Sequence, residues 1–323
     1  MTSESQFAWR PIDPGQVQAW AALEAATEAE DHQDEHVAEQ DLIEYFDDPD
    51  LDFANGSVAV FDGDQMAAYA LVIARTEAEP VHQMRLSGGV HPHFRRRGLG
   101  AQLLEWAERT AESMHKERFP SQPLSLSGRC LARNQGEVAL FAAHGYQESR
   151  WFLRMSCGLT ARLPAIQDPP GVDIVRFAPE LAQDARLVHD EAFRDHWDST
   201  QTTPEGWAHF IESQAFRPAY SFLAYDNGEP LGLVLGHEYD SYTEATGRLD
   251  LYIPTVATRR SGRKRGIATA LLARVLHAAA AAGFVNATLD VDADSPTGAV
   301  GLYERAGFTV QDTWITRVKA LIG

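Results

Sequence analysis

The sequence predicts an α/β protein made of two tandem copies of one domain, each a mixed, mostly antiparallel twisted sheet flanked by helices. Three observations predict it. Residues Arg95–Gly100 read RRRGLG and Arg263–Ala268 read RKRGIA, each after an apolar strand-like run and at the opening of an amphipathic helix. The match extends outward: Arg10 pairs with Arg176, Asp62-Gly63 with Asn227-Gly228, Gly98 with Gly266, and Gly145-Tyr146 with Gly307-Phe308. The offset stays between about 162 and 168 residues, as duplication of one unit requires. Finally, a length of 323 residues gives each half the usual domain size and a core of its own.

Within each copy the signals run strand, helical region, strand pair, strand, helix, strand, helix, strand. In the second copy they fall at 172–177, 181–216, 221–240, 248–257, 266–283, 286–292, 298–306 and 308–318. Asn227-Gly228 is a hairpin dipeptide, which divides 221–240 into two strands. The helix after each arginine-glycine turn carries an apolar stripe at four-residue spacing: Leu99, Leu103, Ala107 and Ala111 in one, Ile267, Leu271, Val275 and Ala279 in the other. Hairpins followed by strand-helix-strand units imply a mixed sheet with helices on its faces. Residues 164–171, PAIQDPPG, hold three prolines and a glycine and favour an extended connector. Domains of 1–163 and 172–323 are expected on either side of it.

The turn itself carries chemistry. An Arg-x-x-Gly-x-Gly/Ala turn at a helix start presents unbonded backbone N–H groups at the positive end of the helix dipole, where phosphate oxygens are held. A phosphate-bearing cofactor is the first inference. No G-x-x-x-x-G-K-[ST] loop is present, and Gly98-Leu99-Gly100 lacks the third glycine of a dinucleotide fingerprint. A formal charge of −18 argues against a nucleic-acid partner, so the arginines at 95–97 and 259–265 suit a small polyphosphate better.

Composition excludes other classes. With 44% hydrophobic and 23% charged residues and no long apolar run, a soluble globular protein without a membrane span is expected. The start MTSESQFAW shows neither a basic segment nor an apolar stretch, so a cytoplasmic location is expected. Cys130 and Cys157 are too few for a disulfide framework or a cysteine zinc site. His32 and His36, at i, i+4 spacing in EAEDHQDEH, read as one face of a solvated acidic helix, since no Glu follows His32 in the metalloprotease pattern. No metal site is expected.

The run Val90-x-Pro92-x-x-Arg95-x-x-Gly98-Leu99-Gly100, followed by Asn134 and by Leu140-Phe141-x-x-x-Gly145-Tyr146, resembles the GNAT acetyltransferase superfamily. The turn at 263–268 and SPTGAVGLYERAGF at 295–308 resemble it too. Two consecutive copies and the stretch LDLYIPTV at 249–256 resemble in particular tandem acetyltransferases of the mycothiol synthase type. The resemblance implies acetyl-CoA as cosubstrate, with a place for one in each domain. It places backbone amides around Arg263, Arg265, Gly266, Ala268 and Thr269 on the pyrophosphate, and Val256 along the pantetheine arm. In the first copy the matching positions are Arg95, Arg96, Gly98, Gly100 and Ala101, with Val90 and Asn134 beside them, and binding there is expected without turnover.

The catalytic residues implied by the resemblance lie in the second copy. Acetyl transfer from a thioester to an amine needs a proton for the departing thiolate, and a tyrosine, at about 10 against about 8.5 for a thiol, is a suitable donor. The family pattern Leu-Tyr-x-x-x-Gly-Phe places that tyrosine at Tyr303, where the first copy has Phe141. Six residues before Val256 lies Asp250, the place of a carboxylate proposed as base in mycothiol synthase-like enzymes; six before Val90 is Met84. An aspartate is about six units too acidic to take a proton directly from an ammonium, so it would act through water or with a raised pKa. Asp290, Asp292, Glu238 and Asp240 compete for the role.

Two departures from the pattern set further expectations. Ten residues separate Val256 from Gly266 but eight separate Val90 from Gly98, so the second turn is expected to carry about two extra residues. Ser295 stands where such enzymes have an asparagine. His189, Asp190, Glu191, His196 and Trp197 fall in the region that covers the acceptor site in the resemblance. The expected function is direct acetylation of a primary amine on a small molecule in the second copy, with a mycothiol-precursor-like acceptor. A non-enzymatic acetyl-CoA sensing protein and a peptide amino-terminal acetyltransferase stay open as alternatives, as does the choice between monomer and homodimer.

Overall fold

In the computed structural model, which describes residues 7–74, 80–160, 162–194, 202–295 and 297–323, the chain forms two packing units that exchange their last strands. The N-terminal unit comprises Met1–Arg150 with Trp314–Gly323, and the C-terminal unit comprises Trp151–Thr313.

In the N-terminal unit the elements are β1 (Ala8–Arg10), α1 (Val17–Asp31), α2 (Glu39–Glu44), α3 (Phe53–Gly56), β2 (Ser57–Asp62), β3 (Gln65–Ala74), β4 (His82–Val90), α4 (Leu99–Arg118), β5 (Leu124–Leu131) and α5 (Gln135–Ala143). Its sheet runs β1-β2-β3-β4-β5 and is completed by Trp314–Ile322 from the end of the chain. All neighbours are antiparallel except β4 and β5. The period-two alternation of β2 divides its side chains: Val58 and Val60 pack with Leu99 and Leu103 of α4, whereas Ala59 and Phe61 pack with Trp20 and Leu23 of α1.

Helix α1 stops at Asp31, one residue short of the expected histidine pair. His32 takes a left-handed conformation with φ of 51°, and the Glu28 carboxylate accepts from the backbone N–H groups of Gln33, Asp34 and Glu35. A side-chain oxygen that captures successive N–H groups replaces the helical carbonyls. The acidic helix expected through His32 and His36 is therefore absent there, and the two histidines do not share a helical face.

The C-terminal unit begins within β6 (Gln147–Gly158) and continues through β7 (Asp173–Arg176), α6 (Ala182–Phe193), α7 (Pro204–Glu212), β8 (Phe222–Asp226), β9 (Glu229–His237), α8 (Asp240–Thr246), β10 (Asp250–Thr258), α9 (Ile267–Ala281), β11 (Asn286–Asp292) and α10 (Ala299–Arg305). The final strand β12 (Thr309–Ile322) crosses to the N-terminal unit at Trp314. The sheet order is β6-β11-β10-β9-β8-β7, with only β10 and β11 parallel among these pairs. Helices α9 and α10 cover one face, over Leu251, Ile253, Leu289 and Val291. Helices α6 and α7 cover the other, over Leu223, Leu233, Leu235 and Ala257.

The expected helical region 181–216 is thus two helices, the second opened by the Thr203 side-chain cap and by Pro204 at its first position. The short α8 was not expected; Gly247 ends it in a left-handed conformation. The connector at 164–171 separates the two sequence copies but not the two packing units. Residues 152–158, from the first copy, pair with β11 of the second, and residues 314–322, from the second, pair with β5 of the first. A final strand needs only an unpaired edge of the right polarity, and either copy offers the same one.

Candidate active site

Both arginine-glycine turns are built alike. Each parallel-pair strand ends at Val90 or Thr258, a single 3-10 turn follows at Pro92–Phe94 or Arg260–Gly262, and the helix is capped by Gly98 or Gly266. Arg96 and Lys264 have φ of 62° and 63°, and Gly98 and Gly266 have φ of 83° and 82°. Alternation of left-handed residues with ordinary ones turns successive N–H groups into a concave nest for anions. Neither helix has a side-chain cap hydrogen bond, so its first N–H groups remain available to a ligand.

The arginine side chains brace this nest. The Arg95 Nε donates to the Val90 carbonyl at 3.0 Å, and its guanidinium grips Asp31 at 2.7 Å through both nitrogens. Arg263 repeats the first contact, donating to the Thr258 carbonyl at 3.3 Å, and reaches the Ala192 carbonyl at 3.4 Å. Arg265 pairs with Asp226 at 2.8 Å. The exposed Gly98 and Gly266 and the half-buried Gly100, Ala101 and Ala268 leave backbone facing outward. Thr269 is also exposed.

The expected extra residues in the second turn are not there. Eight residues separate Thr258 from Gly266, as eight separate Val90 from Gly98, so Thr258 and not Val256 is the counterpart of Val90. β4 and β10 are equally long at nine residues, and what sets β10 apart is its register against β9. Tyr252 pairs with His237 and Thr255 with Leu235, so β10 advances three residues where β9 advances two, which is a β-bulge. The ladder from β3 to β4 has no such shift. Counting back from the true strand end, the residue six before Thr258 is Tyr252; Asp250 lies two residues farther from the turn.

The bulge coincides with an opening between parallel strands. β10 and β11 pair only over Asp250–Tyr252 with Asn286–Thr288, whereas β4 and β5 pair over His82–Leu86 with Leu124–Gly128. Beyond those rungs β10 runs on to Thr258 and presents backbone amides along the gap. Such an edge can hydrogen-bond an extended chain that carries amides. Val256 lies on this stretch, half-buried against the α9 side.

Tyr303 projects from α10 into the cluster that includes Leu271, Leu289 and Phe308, with its ring edge-on to Phe308 at 5.9 Å. Burial pushes its hydroxyl above the ordinary tyrosine value, so it holds its proton at neutral pH. Phe141 of α5 packs edge-on to Tyr146 at 5.1 Å, and a Cβ at Gly128 would stand 2.5 Å from its ring. Asn134 is the cap of α5 and accepts from the Glu137 N–H at 3.2 Å. Its expected counterpart Ser295 bonds the Thr297 hydroxyl at 3.0 Å, while Gly298 caps α10.

Asp250 opens β10 opposite Asn286 and accepts from the Asn286 side-chain amide at 2.5 Å and the Thr288 hydroxyl at 3.0 Å. The competing carboxylates are also engaged. Asp290 is held by Arg154 at 3.1 and 3.2 Å and by the Tyr252 hydroxyl at 3.3 Å. Glu238 and Asp240 pair with Arg217 at 2.7 and 3.3 Å. Asp292 is buried and accepts from the Asp294 N–H.

Along the α6 and α7 side, His189 contacts Asp190 and Trp207, and burial lowers its pKa. Glu191 pairs with Arg259. His196 and Trp197 lie outside the described residues. His237 of β9 is buried among Phe210, Phe216 and Tyr239. Burial, aided by Arg217, lowers its pKa to about 4. Sequence reasoning missed Tyr252, Arg154, Ser156, Asn286 and Thr288. The alternation in NATLDVD announces a polar face on β11; nothing local announces that β6 lies beside it.

Among the described residues no group of His, Cys, Asp and Glu could hold a metal ion, and no helix is long and apolar enough to cross a membrane. What the fold and the site define is a class of α/β proteins with a splayed parallel strand pair and an anion nest at the start of the following helix. The chain belongs to the acetyltransferase (GNAT) family, whose model matches residues 17–146 and 188–308. Enzymes of this family take their acetyl group from acetyl-CoA.

Mycothiol acetyltransferase from Thermobispora bispora is 30% identical over 252 residues, covering 77% of this chain and 79% of that protein. The one from Mycolicibacterium vanbaalenii is 33% identical over 270 residues, covering 79% and 80%. Among solved structures, a GCN5-related N-acetyltransferase from Sphaerobacter thermophilus matches with a TM-score of 0.78 and 29% identity, over 98% of this chain and 96% of that one. A tandem GNAT protein from the clavulanic acid biosynthesis pathway shares the fold, with a TM-score of 0.72 and 16% identity, over 98% and 99%.

Proposed function

We propose that the C-terminal unit transfers the acetyl group of acetyl-CoA directly to a primary amine of a small molecule of mycothiol-precursor type. The observation that carries this reading is Tyr303, a buried and protonated phenol in the unit with the bulged, opened strand pair, where the N-terminal unit has Phe141. The named relatives support the acceptor class.

Acetyl-CoA supplies the acetyl group as a thioester. In this reading the N–H groups of Arg265 to Thr269 hold its pyrophosphate, and the edge of β10 from Ile253 to Thr258, Val256 included, aligns its pantetheine amides. Amides near the bulge donate to the thioester carbonyl as negative charge develops on it. Asp250 draws the ammonium of the acceptor and takes its proton through water. The amine nitrogen then forms its bond to the carbonyl carbon, the carbon–sulfur bond breaks, Tyr303 donates its proton to the thiolate, and the second proton that the nitrogen sheds as it becomes an amide passes through solvent to restore the phenol. The N-terminal unit binds a CoA phosphate at Arg95 to Ala101, beside Val90 and Asn134, without turnover.

The test is mass-spectrometric detection of acetylated product from the purified chain, acetyl-CoA and a panel of amines: cysteinyl-glucosaminyl-inositol, aminoglycosides, polyamines and short peptides. Acceptor-dependent product that falls sharply in Tyr303→Phe is the expected result. Full turnover by Tyr303→Phe, or loss of all chemistry in Phe141→Ala alone, overturns the assignment. Acetyl-CoA binding with no product favours the sensing alternative, and product on peptides alone favours the amino-terminal one.

A further inference from the structure

The strand that completes the C-terminal sheet comes from the first sequence copy, and it brings side chains to the polar face around Asp250. Ser156 of β6 sits opposite Thr288, and Arg154 sits opposite Asp290. The Ser156 hydroxyl donates to the Asn286 Oδ1 at 2.8 Å. The other end of the same amide, Nδ2, donates to Asp250 at 2.5 Å and approaches the Thr288 Oγ1 at 3.2 Å. Three strands therefore contribute to one line of hydrogen bonds that ends on the proposed base.

The direction of that line matters. An asparagine amide has an accepting end and a donating end that differ little in shape, so its orientation is set by its partners. The Asp250 carboxylate only accepts, so it draws the nitrogen end toward itself, and the Ser156 hydroxyl, which can donate or accept, donates to the oxygen end left facing β6. Reversal of the amide would set its oxygen against the carboxylate, where two acceptors repel. Asp250 therefore sets the orientation of the amide, and Ser156 anchors its far end and so holds the donor in place against the carboxylate.

We infer that Ser156 is a positioning residue for the proposed acetyl transfer, acting through Asn286 to orient the Asp250 carboxylate, so that the first sequence copy supplies part of the active site of the second. This rests on the reading of Asp250 as the group that receives the acceptor amine. The segment 172–323, complete as a sequence copy, lacks this residue.

The experiment uses the full chain in three variants, Ser156→Ala, Ser156→Thr and Asp250→Asn, with cysteinyl-glucosaminyl-inositol or whichever amine of the panel is acetylated. Turnover number, KM for acetyl-CoA and thermal midpoint are read for each. Ser156→Ala is expected to lower kcat about tenfold, the upper size of one hydrogen bond between neutral groups, with KM for acetyl-CoA and thermal midpoint unchanged. Ser156→Thr keeps the donor and is expected to restore kcat. Parental kcat in Ser156→Ala, while Asp250→Asn is impaired, overturns this inference and leaves the proposed function standing. A parallel fall in thermal midpoint and rise in KM for acetyl-CoA without rescue by threonine marks a structural role and also overturns it. Full turnover by Asp250→Asn, or no turnover of any amine by the unaltered chain, removes the underlying reading and the inference with it.

Discussion

The two units carry the same anion nest to within one degree at its left-handed residues, yet they differ in the strand pair that precedes it and in one aromatic side chain. Arg96 and Lys264, and Gly98 and Gly266, are interchangeable in conformation. By contrast, β10 has a bulge that β4 lacks, its parallel partner separates two rungs earlier, and Tyr303 on α10 stands where α5 has Phe141. The nest is a local backbone structure, held by one arginine that reaches back five residues to a carbonyl. It persists without any demand on the rest of the sheet. The gap depends on strand register and on a side chain from another helix, so it can be lost while the nest survives.

The comparison is broken most severely by removing the exchanged strand. Deletion of residues 314–323 takes Ile315 and the ladder to β5 out of the N-terminal unit. The expected loss, on the order of 5 kcal/mol, is large enough to unfold that unit alone. Hydrogen exchange should show Leu124–Leu131 deprotected and Asn286–Asp292 still protected; equal loss in both strands would contradict the division into units.

Tyr303→Phe makes the C-terminal unit resemble the N-terminal one at a single atom, and kcat should fall by about 10²–10⁴-fold with KM for acetyl-CoA little changed. Steady-state kinetics decides it.

His237 gives the C-terminal unit a pH dependence of its own. Its folded pKa of about 4 lies below the ordinary 6.5 because burial disfavours the imidazolium. Below 6.5 the unfolded chain takes up a proton that the folded one refuses until about 4, so stability falls as pH drops through that window. The loss is ~3 kcal/mol, and denaturant titrations at pH 7 and pH 4.5 should show His237→Leu losing less of its stability than the parent.

The smallest effect sharpens the packing contrast. Gly128→Ala places a methyl group into the Phe141 ring and should cost about 1–3 kcal/mol, read as a shift in denaturation midpoint. Phe141→Leu in the same chain should recover part of it; no recovery would mean that the ring is not the obstacle.

Much of the architecture was legible in the chain. The stripes at Leu99–Ala111 and Ile267–Ala279 became the buried faces of α4 and α9, and the Asn227-Gly228 hairpin joins β8 to β9. The arginine-glycine turns were legible because glycine at positive φ and the free helix start are local properties. The register of β10 was not. Counting from Val256 put about two extra residues in the turn because the strand runs on to Thr258, and the one-residue bulge shows only against the neighbouring strand. The histidine pair failed for a related reason: a single carboxylate, Glu28, took over the N–H groups that a helix would have used.

By itself the sequence determined the duplication, the class of fold, the family, and the difference between Tyr303 and Phe141, because these reside in residue identity and spacing. Only the tertiary structure decided which strand completes which sheet. The ladder to β11 is made of backbone groups that every strand possesses, so no side-chain pattern states that β6 will fill it. With that pairing came Ser156 beside Asn286 and Arg154 beside Asp290, contacts of the proposed site that exist only once the strands are side by side.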